Sequence, residues 1–311
     1  MIFFLSRRIL SAIPTLFLLC TLVFFSLRLA PGGPFDTERA WPPEVKQNIE
    51  EHYDLNRPLV VQFAKWMAGA ARGDLRESFQ YMGKPVSEII LETLPTSAEL
   101  GILAFVVALL VGIPLGVFSA TALGRGAFAK LTQSTFTFLT IVGVSLPSYL
   151  VASVLVLVFA LKLGWFPPAL WEEPLSFVLP TLTLSLRPLS LVARLVRASM
   201  IEALQSDYIR VARSKGLSRF KILFKHALKN SLLPLIALLG PILANLITGS
   251  FLVEMVFQIP GLGKHFVSAV INRDYPLVMG VSLAYGAILI FSNLFFDICM
   301  GLVDPRVRVT A

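Results

Sequence analysis

The chain has 311 residues, of which 56% are hydrophobic and only 15% charged, and its formal net charge is +8. Soluble domains carry charge on about a quarter of their residues, so this composition excludes an ordinary soluble protein. The mean hydropathy is +0.76, and several apolar runs reach the ~20 residues that cross a bilayer core. The sequence therefore predicts an all-α polytopic membrane protein.

The first predicted membrane span covers about residues 9–29 and opens an N-terminal unit, 1–30. Arg7 and Arg8 precede it, and Arg28 at its far end is expected to extend toward the lipid headgroups. No small-residue cleavage site follows the apolar run, so we expect a retained helix and not a cleaved signal peptide.

The segment 31–94 differs from its surroundings because it mixes charges, prolines and tryptophans. Two short amphipathic helices are predicted in it, near 44–53 and 59–71. Beyond it, Thr96 and Glu99 have the spacing of a capping box. This spacing predicts that the second span begins there, with Glu99 as a capping residue.

A core of five further spans is predicted over 95–303, followed by a short tail, 304–311. Pro147 lies inside the third span of the chain. The six predicted spans cover about 9–29, 95–120, 131–161, 175 onward, 232–257 and 275–303.

Basic residues indicate the orientation of these spans. The two termini and the loops 120–130 and 194–230 are rich in Lys and Arg, whereas 31–94 holds most of the acids. We therefore expect both termini to be cytoplasmic and the segment 31–94 to be external.

The longest basic stretch, 208–234, reads YIRVARSKGLSRFKILFKHALKNSLLP. Gly216 divides it into two short predicted helices and suits the left-handed position after a helix end. The second helix should be amphipathic, because apolar residues recur at helical spacing; these are Phe220, Leu223, Phe224, Ala227 and Leu228. Orientation alone would need only two or three scattered charges, and anionic lipid would attract any basic loop. The ordered pattern of helix, glycine and helix favours a rigid loop that docks on another protein.

The sequence offers little catalytic chemistry. It has no P-loop, so it cannot hydrolyse ATP alone, and no GxSxG or HExxH motif. His52, His226 and His265 have no partners at metal-ligand spacing, and Cys20 and Cys299 lie in apolar runs. A nucleic-acid role is disfavoured, since the basic loop lacks interleaved aromatic residues.

Ionisable residues within the spans are candidates for function. Arg187 either lines a pathway or forms a structural pair, and both readings are open. Glu254 is a second pathway candidate, although a structural role is favoured. Asp297 and Asp304, at the end of the last span, are expected to pair with nearby basic residues.

The stretch 208–234 resembles the cytoplasmic signature loop of ABC importer permeases, specifically the B-type subunits of oligopeptide and dipeptide permeases. The resemblance extends over nearly the whole chain, including RLAPGGPF, LVARLVRASMIEAL, GSFLVEMVFQIPGLG, NRDYPLV and DPRVR. Of the generic importer signature, only Ala212, Gly216 and Leu228 are retained. The departures look like those of the peptide branch.

This resemblance implies a type I ABC importer permease fold with six transmembrane helices and an external segment between the first two. It implies a bacterial inner-membrane location and four kinds of partner: a second homologous permease, two cytoplasmic ATPases, an external substrate-binding protein and the peptide cargo. ATP and magnesium would be bound by the ATPases, leaving this chain without a cofactor. The implied ATPase-docking residues lie within the loop 198–230; they are Tyr208, Ile209, Arg210, Val211, Ala212, Lys215, Gly216 and Leu217.

Two other classes compete with this interpretation. A self-sufficient secondary transporter or channel would build its site from this chain alone, often with inverted repeats and acids at mid-membrane. No repeat is visible and such acids are few. A structural or signalling subunit would show no dependence on ATP. The residues do not distinguish among oligopeptide, dipeptide, modified peptide, glutathione and nickel-chelate cargo.

Overall fold

A computed structural model describes residues 2–29, 33, 51, 53–122, 126–249 and 251–303. Throughout these ranges the regular structure is helical. The helices, in chain order, are α1 (Ile2–Leu29), α2 (Leu59–Ala70), α3 (Val86–Thr121), α4 (Ala127–Ser145), α5 (Ser148–Leu155, continued by a π-helix Val156–Lys162), α6 (Val178–Gln205), α7 (Asp207–Ser214), α8 (Arg219–Lys221, a π-helix Ile222–Ala227, and Leu228–Ser231), α9 (Leu233–Thr248), α10 (Phe251–Val256), α11 (Leu262–Ile271) and α12 (Tyr275–Val303).

Five helices or helix pairs within the described ranges are long and apolar enough to cross a membrane, and α4 with α5 supplies a sixth if the pair counts as one span. The predicted third span corresponds to this pair, whose two helices are bent by 111° at the break. Pro147 explains the break. The residue before a proline is pushed into extended geometry, and Leu146 has φ −81° and ψ 129°.

Helix α3 begins about ten residues before the predicted start of the second span. Pro85 is its N-cap, and the first two turns bury Val86, Ile89 and Ile90 against α11 and α12. The predicted capping box is wrong, because it lies in the helix interior. Glu99 instead accepts a hydrogen bond from Trp171 Nε1 at 3.3 Å.

Helices α3 and α6 form the most extensive helix pair in the described part of the chain. Gly116 permits their close approach, since an added Cβ would lie 2.6 Å from the carbonyl oxygen of Ala193. The apolar cluster between them includes Val196 and Met200 and extends without interruption to Ile209 of α7. The membrane core and the basic loop are thus packed together as one body.

The predicted amphipathic helix at 59–71 is confirmed as α2, whereas most of the one at 44–53 lies outside the described residues. Trp66 of α2 packs against Phe24 of α1. Arg28, expected to extend toward the headgroups, has partners within the protein. Its guanidinium lies 3.6 Å from the centre of the Phe24 ring in the same helix and donates to Gln62 Oε1 of α2 at 3.0 Å.

A buried carboxylate fastens the segment before α3 to the last span. Asp274 is fully buried and accepts hydrogen bonds from the backbone N–H of Phe79 and Gln80, both at 3.1 Å, and of Leu277 at 3.2 Å, as well as from the Ser78 hydroxyl. At the other end of α12, the predicted pairing of Asp297 is confirmed by an ion pair with Arg8 at 3.2 Å. Asp304 lies outside the described residues.

Candidate functional site

The basic loop contains the helix, glycine and helix that its sequence predicts. Helix α7 ends at Ser214, and Gly216 has φ +73°. The N–H of Gly216 donates to the Arg213 carbonyl at 2.9 Å, and that of Leu217 donates to the Ala212 carbonyl at 3.3 Å. These two bonds define a Schellman motif, which turns the chain sharply from α7 toward α8.

The predicted docking residues have two orientations, one buried against the protein and one exposed. Ile209 is fully buried, Ala212 is 6% exposed, and Leu217 packs against the same cluster. The outward side chains are Tyr208, Arg210, Val211 and Lys215. The inward face anchors α7 on α6, and the outward face is available for contact with another protein.

The second helix, α8, turns most of the predicted apolar face inward. Ala227 is buried, and Leu223 and Leu228 pack against the same cluster as Ile209. The exceptions are Phe220, which is 69% exposed, and Phe224, which is 47% exposed, with their rings 4.5 Å apart. Ile222, which is not part of the predicted face, is buried. A π-helical turn at Ile222–Ala227 closes hydrogen bonds over five residues, so a pattern based on 3.6 residues per turn predicts the inward face only in part.

A cavity of about 370 Å³ lies where α4 breaks from α5, against α6 and α9. Arg187 lines it, with polar side chains from three other helices, and its role in a pathway stays a prediction. These polar residues are Ser145, Ser148 and Asn245. Asn245 was not singled out in the sequence, because an uncharged amide in a long apolar run carries no distinctive pattern.

Glu254 does not line this cavity. It is fully buried and accepts a hydrogen bond from Ser97 Oγ at 2.7 Å and from the backbone N–H of Lys264 at 3.2 Å. Ser97 Oγ in turn accepts from the backbone N–H of Leu262 at 2.8 Å. Glu254 and Ser97 thus cap the N-terminus of α11 from two other helices.

Gly261 and His265 complete the surroundings of this carboxylate. A Cβ on Gly261 would overlap the Glu254 carboxyl group, so only glycine fits at the entrance to α11. Burial, reinforced by the nearby Lys264, lowers the pKa of His265 below its ordinary value, which favours the neutral imidazole. The described residues contain no group of three or more His, Cys, Asp and Glu that could hold a metal ion.

Two family models match the chain. The binding-protein-dependent transport system inner membrane component matches residues 112–309, and the N-terminal model of the same membrane component matches residues 1–101.

The chain is also similar to curated proteins over its whole length. It is 42% identical to the oligopeptide transport system permease protein OppB of Haemophilus influenzae and 39% identical to the dipeptide transport system permease protein DppB of Bacillus subtilis. The first alignment covers 99% of this chain and 100% of the relative, and the second covers 98% of each.

A solved structure shares the fold. A chain of the MetNI methionine ABC transporter, in an inward-facing conformation, aligns with a TM-score of 0.56 at 17% identity, covering 70% of this chain and 96% of the other. This likeness confirms the predicted permease fold. The family further confirms that the chain is a membrane component without ATPase activity of its own and without a cofactor, and that it works with ATPase and binding-protein partners. The chain belongs to the binding-protein-dependent transport system inner membrane components, the multi-pass permeases of ABC importers.

Proposed function

We propose that this chain is the permease subunit of an ATP-driven importer for oligopeptides or dipeptides, forming half of the translocation pathway. The observation that carries the proposal is the docking segment, residues 208–217, whose buried face is fixed to the membrane core and whose other face is exposed. Similarity to oligopeptide and dipeptide permeases over 98–99% of the chain supports a peptide cargo.

The proposed assembly contains a second homologous permease, two cytoplasmic ATPases and an external binding protein. Both termini and the docking segment lie in the cytoplasm, and the segment 31–94 lies outside, where it meets the binding protein. The positive charge of the loops supports this orientation. The docking contact comprises Tyr208 to Leu217, with the outward side chains touching the ATPase and Gly216 holding the turn.

Movement of the ATPases is transmitted to the membrane spans by the packing of α7 against α6. Because Ile209 shares one buried cluster with Val196 and Met200 of α6, a displacement of α7 moves α6 as a rigid body. ATP binding supplies the differential free energy that any such shift requires. The cavity beside Arg187 is then exposed alternately to the two sides, while Glu254 maintains the fold.

ATP-dependent uptake tests this proposal. The complete transporter, reconstituted in liposomes with the binding protein on one side and ATP on the other, should accumulate a labelled tripeptide. Omission of ATP or of the binding protein should abolish accumulation. Equal accumulation without ATP, by this chain alone, would contradict the proposal and favour a secondary transporter.

A further inference from the structure

The cavity at the break between α4 and α5 has the size and composition of a small-ligand site. Its volume of about 370 Å³ falls in the ~300–1,000 Å³ range of such sites. Arg187 lies nine residues beyond the start of α6, Val178, or about 14 Å along the helix at 1.5 Å per residue. This places it well inside the candidate membrane span Pro174–Gln205.

Arg187 carries the only charge among the residues that line the cavity, which include neither Asp nor Glu. Within the described ranges, no carboxylate lies within ion-pair distance of its guanidinium. An arginine at this depth faces a partner or a water-filled space. The guanidinium here is exposed and lines the cavity, so it is available to an anion that enters.

The N-terminus of α5, which borders the cavity, carries a partial positive charge and so has the same sign as the Arg187 guanidinium. Ser148 begins α5 and lines the cavity, and the N-cap, Pro147, supplies no side-chain hydrogen bond to the first turn. The partial positive charge of a helix N-terminus adds to that of the guanidinium. Asn245 of α9 adds a neutral amide to the lining.

We propose that this cavity binds the C-terminal carboxylate of the cargo, with Arg187 as the specificity-determining residue. A guanidinium matches a carboxylate through two parallel hydrogen bonds. The C-terminal carboxylate is the one anion that every unmodified peptide carries, so a site for it accepts peptides of any sequence. The inference rests on the proposed function and specifies its substrate class as peptides with a free C-terminus.

The test compares one peptide in two forms, labelled trialanine with a free carboxylate and the same peptide as its C-terminal amide. Initial ATP-dependent uptake is measured in the reconstituted transporter, with the binding protein saturated by each form so that its own preference does not enter. We expect the free acid to enter about tenfold faster, the effect of a charge-assisted hydrogen bond worth one factor of ten. Arg187→Gln should remove this preference by slowing only the free acid, and Arg187→Lys should retain part of it.

Arg194→Gln is the matched control. Arg194 lies two turns further along the same side of α6, is also exposed, and does not line the cavity, so its loss should leave the preference unchanged. Uptake of the amide by Arg187→Gln reports that this variant is folded and coupled. Equal uptake of both forms by the unchanged transporter, or an equal loss of both in Arg187→Gln, would overturn the carboxylate site. Failure of both forms to enter the unchanged transporter would instead contradict the proposed function.

Discussion

Gly216→Val should leave the protein inserted in the membrane but reduce peptide uptake at least tenfold. Gly216 has φ +73°, a region that costs an L-residue roughly 1–2 kcal/mol and a β-branched residue more. A Cβ here would meet no atom within 4 Å, so the effect comes from backbone strain and not from a clash. Strain at this turn redirects α7, and stimulation of the ATPases by loaded binding protein should be lost together with uptake.

Two substitutions control for this effect. Asn tolerates the left-handed conformation, so Gly216→Asn should retain most of the uptake. Gly126→Val adds the same side chain to another loop, at a position with φ −90° and open space around it, and should retain normal uptake. Normal uptake and normal ATPase stimulation in Gly216→Val would show that the turn has no part in docking.

Glu254→Gln should destabilise the protein more than any other change of a single carboxylate in the described part of the spans. The carboxylate accepts from two donors at a fully buried position, and an amide can accept from only one side. Its nitrogen would face either the N–H of Lys264, donor against donor, or the Ser97 hydroxyl, which would then lose its acceptor. Each unsatisfied buried group costs about 1–3 kcal/mol. We expect the midpoint of thermal unfolding in detergent to fall by on the order of 5 °C, and Gly261→Ala to have a similar effect through overlap with the same carboxyl group.

Glu99→Gln is the matched control, because Glu99 is exposed and accepts one hydrogen bond, which an amide oxygen can also accept. Its unfolding midpoint should be unchanged. A midpoint for Glu254→Gln that equals that of the unaltered protein would contradict the capping role of Glu254 and leave it as a pathway candidate.

The features that the sequence predicted well depend on local rules. Long apolar runs predict spans because of the bilayer thickness, and Gly216 predicts a turn because few other residues adopt its backbone conformation. Together with the order of charged and apolar residues, these rules correctly predicted the helix, the turn at Gly216 and the second helix of the basic loop, whereas its docking on an ATPase stays a prediction.

The features that the sequence did not predict depend on distant contacts or on small changes in helical geometry. The early start of α3 results from burial of Val86 against α12. The burial of Ile222 and the exposure of Phe224 occur within a π-helical turn, which no periodic pattern signals. Ser97 bonds to a residue 157 positions away, and no local pattern could have connected the two.

A cross-link from the exposed face of α7 tests the central claim, that partner ATPases drive this chain through its docking segment. With Cys20 and Cys299 replaced by serine, Val211→Cys offers one thiol on a side chain that is 51% exposed. Oxidative or bifunctional cross-linking in native membranes, followed by affinity purification and mass identification, should join this thiol to a P-loop ATPase. A second permease should be recovered in the same complex. Met82→Cys, also exposed but in the segment before α3, should not join to the ATPase. Recovery of the chain alone, or with the same partners from both positions, would contradict docking through α7.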